Sequence, residues 1–232
     1  MSRSHIKRLM MPRSWPLTRK TNIWAQKPNP AGHPLEMCMP LGILLRDILE
    51  VAHNMREAKR ILQSRKVLVD GKVETNRSRG VGIMDVLTVG NKNYRCVIDT
   101  NGKLRYRLIS KKEASTKICK IIGKTTIKGG ETQINLHDGR NIIESDPSKY
   151  NVGDSLIISL PDQKISKHLQ NKEGSLAFLT GGSHIGEIAV IGSLDIKRSS
   201  KPNETIFEDF GTISDYVFVI DKESYIPKEA ES

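Results

Sequence analysis

The chain has 232 residues, 37% of them hydrophobic, and carries a formal net charge of +11 with an isoelectric point near 9.6. That length suffices for two or three small domains with modest cores, and so basic a balance points to an acidic polymer or an anionic surface as partner. It has no run of about 18 apolar residues to span a bilayer and no secretory apolar stretch near its start, while Cys38, Cys96 and Cys119 are too far apart for a C-x-x-C zinc pair and too odd in number for a closed disulfide framework; the expectation is a soluble protein of the reduced cytoplasm.

The charge is unevenly placed. Residues 1–80 hold 16 Lys+Arg against 6 Asp+Glu, net +10, whereas residues 81–232 hold 21 against 20, net +1. Residues 1–35 contain no acid; there Arg3, Lys7, Arg8, Arg13, Arg19, Lys20 and Lys27 are interleaved with Trp15, Trp24 and five prolines. The prolines forbid a long helix, and the apolar spacing gives no amphipathic face for a membrane surface. The composition predicts an arm, disordered alone, that orders by laying guanidinium and indole groups along an RNA backbone and stacking where bases are exposed. A merely solvated basic tail is the alternative.

From Pro40 the pattern turns helical: Leu41, Leu44, Leu45, Ile48, Leu49 and Ala52 recur at helical spacing, with Arg46, Asp47 and Glu50 on the other faces. A second helix over Arg56–Ser64 turns Ala58, Ile61 and Leu62 inward and Arg56, Lys59, Arg60 and Gln63 outward. Val67-Leu68-Val69, Asp70-Gly71 and Lys72-Val73 then read as a hairpin with a two-residue turn. Two helices are therefore expected on a small sheet. Their outward faces gather Arg46, Arg56, Lys59, Arg60, Arg65, Lys66 and Lys72 as candidate phosphate contacts, the alternative being an ordinary solvated face.

The remainder reads as β structure. Hairpins are predicted around Asn101-Gly102 and Asp138-Gly139, a capping box at Ser110–Glu113, a strand over Ser155–Leu160, and short strands at Leu176–Leu179, Glu187–Ile191 and Tyr216–Ile220 that suit a small barrel. Ile122-Gly123-Lys124-Thr125-Thr126 imitates the end of a phosphate-binding loop, but Ile118 stands where the curling backbone needs glycine. Histidines 5, 33, 53, 137, 168 and 184 show no paired ligand spacing, and Asp70, Asp85, Asp138 and Asp154 sit in turn-like contexts where a carboxylate bonds local backbone N–H groups. No catalytic residue, metal or cofactor is expected.

Leu45-Arg46-Asp47, Glu57–Leu62 and Val67–Val73 resemble the S4-type RNA-binding domain. Ser4–Leu9 with Pro12–Trp15, Gly32-His33 and Val81–Val86 are similar to the archaeal and eukaryotic S4 family of small-subunit ribosomal proteins, and Thr180–Ile191 resembles that family's KOW motif. The resemblance implies an α+β, multidomain chain: a basic arm (1–37), an S4-type helix pair on a small sheet (38–104), a central β domain (105–170) and a C-terminal SH3-like KOW barrel (171–232). It also implies small-subunit ribosomal RNA and neighbouring small-subunit proteins as partners, no small-molecule substrate and no membrane, with His33 joining the RNA contacts. Gly181, Gly182, His184 and Gly186 form a possible RNA-facing KOW loop, or else a tight turn only. The acidic ending Lys228–Ser232, where eukaryotic members run on into a basic extension, suggests an archaeal source. Two alternatives remain: an RNA-modifying enzyme of the pseudouridine-synthase class that uses an S4 module for targeting, and a KOW-containing regulator of translation or transcription.

Overall fold

The computed structural model describes residues 4–30, 32–144 and 146–221; Arg3 and the acidic ending at Lys228–Ser232 lie outside them. The architecture is α+β, mostly strands with few helices, and no helix among the described residues is long and apolar enough to cross a membrane. By contact the chain divides into two compact units. The first comprises the described residues up to Ile98, with Gly102–Lys117 and Ser159–Gln163; the second comprises Asp99–Asn101, Ile118–Ile158 and the described residues from Lys164 on.

The first unit opens with a two-stranded ribbon of β1 (His5–Lys7) and β2 (Trp24–Gln26), in which Lys7 lies opposite Trp24. After β3 (Cys38–Pro40), Pro40 caps a short helix α1 (Leu41–Ile43) that widens into a π-helical turn over Leu44–Ile48, burying Leu41, Leu44 and Leu45. This helical run stops before Ala52, short of the expected extent, because Glu50 takes the left-handed conformation (φ 51°); the Ala52 N–H then reaches back to the Leu45 carbonyl at 3.2 Å. In α2 (Met55–Gln63) the Asn54 side chain accepts from the Arg56 and Glu57 N–H groups, satisfying two donors that a helix start leaves open.

The sheet beneath consists of β4 (Val67–Val69), β5 (Lys72–Val73), then β6 (Gly80–Gly82), which pairs instead with β3, followed by β7 (Val86–Val89), β8 (Lys92–Ile98) and β9 (Leu104–Ile109), in the order β5-β4-β7-β8-β9. The Asp70-Gly71 turn has positive φ at both residues, as a two-residue hairpin requires. Ala58 and Leu62 of α2 pack with Leu41, Leu44, Leu45, Val67 and Leu87 in one core.

The N-terminal segment is built into this unit, a correction to the expectation of an arm that orders only on RNA. Trp15 is 1% exposed and its indole N–H donates to the Cys38 carbonyl at 2.8 Å, Pro12 and Pro28 are buried, and the Leu104 N–H donates to the Ser14 carbonyl at 2.8 Å. Its few apolar groups cannot form a core of their own, so they complete one supplied by residues much later in the chain.

Among the described residues, the second unit holds two five-stranded sheets. In the first, β10 (Thr116–Thr126), whose opening residues belong to the first unit, β11 (Thr132–Leu136), β12 (Asn141–Glu144), β13 (Ser155–Ser159) and β14 (Ile165–Leu169) adopt the order β12-β11-β10-β13-β14 around Cys119, Ile121, Ile134, Leu136, Leu156 and Ile158. In the second, β15 (Leu176–Leu179), β16 (Ile188–Asp195), β17 (Glu204–Phe207), β18 (Gly211–Ile213) and β19 (Val217–Val219) adopt the order β18-β17-β16-β15-β19, with a bulge in β16 between Ile191 and Ser193. The Asp138-Gly139 hairpin forms as expected, as does the Ser110–Glu113 capping box, in which the Glu113 carboxylate accepts from the Ser110 N–H at 2.8 Å.

A cationic face as candidate nucleic-acid interface

In α2, Arg56, Lys59 and Arg60 at i, i+3 and i+4 form one exposed stripe because Ala58 and Leu62 commit the opposite side to the core. The stripe continues past the helix end. Ser64 closes the last turn on the Ile61 carbonyl at 2.7 Å, Arg65 takes the left-handed conformation (φ 58°), and the Lys66 carbonyl is tied by the Gly90 N–H at 3.0 Å; Arg65, Lys66 and Lys72 are exposed. Of the two acids between Arg56 and Lys72, Asp70 is buried and Glu57 accepts from the His53 N–H at 2.8 Å. The result is a fixed row of cations on a rigid element, an arrangement that matches phosphates and carries no base-reading geometry of its own.

Arg46 belongs to a different environment. Its guanidinium is held by Asp47 through bonds of 2.8 and 2.7 Å; this hydrogen bonding raises its pKa against the opposing effect of burial, and the pair presents little net charge.

The N-terminal candidates separate into two groups. Lys7, Arg13, Lys20 and Lys27 are exposed, and Trp24 is 51% exposed with its ring edge-on to His5 at 4.6 Å. Arg8, Trp15 and His33, expected among the RNA contacts, are buried and engaged with protein partners. Arg8 donates to the Thr18 carbonyl at 2.5 Å; Arg19, half-buried, donates to the carbonyls of Leu9 and Met11 at 3.0 and 3.2 Å and so braces the same loop.

His33 enters a buried ionic network. Lys117, at 0% exposure, donates to Asp70 Oδ2 at 2.8 Å and Asp85 Oδ1 at 2.6 Å, and His33 Nε2 lies 2.9 Å from Asp85 Oδ1. Asp85 also accepts from the Gly82 N–H, and Asp70 from the Val86 N–H, each at 2.8 Å. Burial alone pushes the Asp85 carboxyl up, but the Lys117 ammonium and then His33 reverse this and hold it well below the usual carboxylate range. The imidazole occupies the space over Gly82, where a Cβ would stand 2.3 Å from it. The sequence signal for this network is slight: a lysine at the head of the apolar run Lys117-Ile118-Cys119.

Cys119, His137 and Asp138 bring ligand atoms within 4.8 Å of one another, but each already serves a protein partner. The Lys120 N–H donates to His137 Nδ1 at 3.2 Å, Cys119 donates to Asp138 Oδ2 at 3.6 Å, and Arg140 pairs with Asp138 at 3.2 Å. In the KOW-like loop, Gly181 lies against the Tyr216 ring, Gly182 and Gly186 have φ of 86° and 82°, and His184 stacks on Phe210 at 3.9 Å while pairing with Glu187 at 3.0 Å. Packing and turn geometry account for all four residues.

A sequence profile of the Ribosomal family S4e matches residues 90–165, and the RS4NT domain matches residues 2–36. The chain is 45% identical to the small ribosomal subunit protein eS4 of Methanocella arvoryzae over 230 residues, 97% of each chain. The chain belongs to the S4e family. It is also 44% identical to the protein of the same name from Methanothermobacter thermautotrophicus, over 97% of this chain and 95% of that one. The crystal structure of the 30S ribosomal protein S4e from Thermoplasma acidophilum superposes with a TM-score of 0.71 at 36% identity, covering 79% of this chain and 95% of that one.

Proposed function

We propose that this S4e-family chain is a structural constituent of the small ribosomal subunit, cytoplasmic and ribosome-bound, that binds ribosomal RNA by neutralising phosphates and catalyses no reaction. The observation that carries the reading is end-to-end kinship at 45% identity with a small ribosomal subunit protein, spanning both units. Arg56, Lys59, Arg60, Arg65, Lys66 and Lys72 contact backbone phosphates from the α2 side, and Lys7, Arg13, Lys20 and Lys27 from the N-terminal segment. Each contact releases condensed counterions, so affinity falls steeply with salt. Neighbouring small-subunit proteins complete the surroundings.

The finer architecture follows the same reading. Helices α1 and α2 over the β5-β4-β7-β8-β9 sheet support an S4-type module across residues 38–104, following the N-terminal segment 1–37. The first sheet of the second unit supports a central β domain across 105–170, and the bulged β16 in the last sheet supports an SH3-like KOW barrel across 171–232.

Sucrose-gradient sedimentation tests the proposal: the chain is expected with the small subunit and resistant to a moderate salt wash. Recovery mainly in ribosome-free fractions, or turnover of a modified nucleoside by the pure protein, overturns it.

A further inference from the structure

The β1–β2 ribbon buries one face and exposes the other. Ala25 points into the unit, whereas His5, Lys7 and Trp24 share the outward face, Lys7 standing directly opposite Trp24 in register. Leu9 and Met10, which follow β1, are 64% and 77% exposed; Ile23, which precedes β2, is 72% exposed. The two segments are locked together by the Arg8 N–H on the Ile23 carbonyl at 2.8 Å, and Arg19 braces the turn through the Leu9 carbonyl. Leu9, Met10, Ile23 and Trp24 are thus left exposed on and next to the ribbon, in a stretch that carries Lys7, Lys20 and Lys27 and whose first acid is Glu36. A charge fringe of one sign selects a polyanion, and an exposed indole selects a flat, unpaired base, since bases inside a duplex are already stacked.

We infer that this face is a stacking ledge for an unpaired ribosomal RNA base, with Trp24 as its platform, Leu9, Met10 and Ile23 as its apolar margin, and Lys7 and Lys27 holding the flanking phosphates. This deepens the RNA-binding reading above and rests on it. The His5 ring stands at 78° to the indole and leaves a face of it for the base.

The chain carries its own probe. Of its two tryptophans, Trp15 is buried and hydrogen-bonded, so a change of emission on RNA binding reports Trp24. With the full chain, a short single-stranded oligoadenylate is expected to quench that emission saturably, a fully paired RNA duplex to leave it unchanged, and Trp24→Phe to abolish the response. Trp24→Ala is expected to weaken oligoadenylate binding by about 5- to 150-fold, with Trp24→Phe retaining most of the affinity. Unchanged Trp15 emission in Trp24→Ala verifies that the unit still folds. Oligoadenylate binding that leaves the emission and the Trp24→Ala affinity at wild-type values overturns the ledge, as does quenching by RNA-free small-subunit proteins alone, which would make the patch a protein contact. A wild-type chain that fails to sediment with the small subunit refutes the parent reading; one that sediments, yet keeps Trp24 open to acrylamide when bound to small-subunit RNA, refutes the ledge alone.

Discussion

Replacing Lys117 by methionine keeps the volume of the side chain and removes its charge from between Asp70 and Asp85. At 0% exposure no water can take over the bonds of 2.8 and 2.6 Å. Removing one partner of a buried ion pair costs about 3–5 kcal/mol, a large share of the roughly 5–15 kcal/mol by which domains are stable. Urea unfolding followed by Trp15 emission in a Trp24→Phe background isolates the first unit; the midpoint should fall by about 1–2.5 M. The pH dependence sharpens the test. In the wild-type chain the folded Asp85 titrates below its unfolded value of about 3.9, so its stabilisation is complete above that pH and is lost as the pH falls through the lower folded value. Without Lys117, burial drives the carboxylates upward, and acidification from neutral pH then relieves the strain. The loss in Lys117→Met should therefore shrink between pH 7 and about pH 4.5. A midpoint shift under about 0.5 M, or one equal at both pH values, refutes the reasoning.

Gly82→Ala places a Cβ 2.3 Å from the His33 ring, which Asp85 holds in place; a loss of about 1–3 kcal/mol is expected in the same unfolding assay. Single alanine changes at Arg56, Lys59 or Arg60 should leave the unfolding free energy within about 0.5 kcal/mol of wild type while lowering the slope of log affinity for small-subunit RNA against log salt by about one unit each. Burial lowers the Lys120 pKa to about 8 against the charge of Asp215, whereas the unfolded chain holds that proton to about pH 10.4. The unfolded state thus binds more protons in this window, so the Lys120 contribution to stability rises between those pH values, and Lys120→Met should flatten the rise relative to wild type.

Much of the fold was legible where a local rule decides structure. The Asp70-Gly71 turn, the inward face of α2 and the Ser110–Glu113 box each depend on residues within one turn of one another. Even so, the Gly90-Asn91 turn joining β7 and β8 lies outside that reading, although its glycine directly follows the mostly apolar run Val86–Val89. The failures concern distance in the chain. Nothing near His33 marks Asp85 as its partner, and nothing around Trp15 names the Cys38 carbonyl, so composition reads Trp15, and the family resemblance His33, as free to meet RNA. The same limit hid the exposure of Leu9, Met10 and Ile23, which look like ordinary core material in the sequence. Exposed cations such as Arg56 and Lys59 were legible because helical periodicity fixes their direction without any long-range contact.

The closure of the N-terminal segment also sets a timetable for synthesis. Lys103 donates to the Arg13 carbonyl 90 residues away, and the neighbouring Leu104 N–H meets Ser14. Chains grow at roughly 5–20 residues per second, so the stretch around Trp15 is made about 5–18 s before the strand that seals it exists. The most cationic, acid-free part of the molecule therefore waits for β9 before its closure is complete. During that interval the segment lacks the strand that seals it and is open to proteases, chaperones and any nearby polyanion. A nascent chain stalled before residue 104 should be clipped in this segment, and one released just beyond β9 should be protected there.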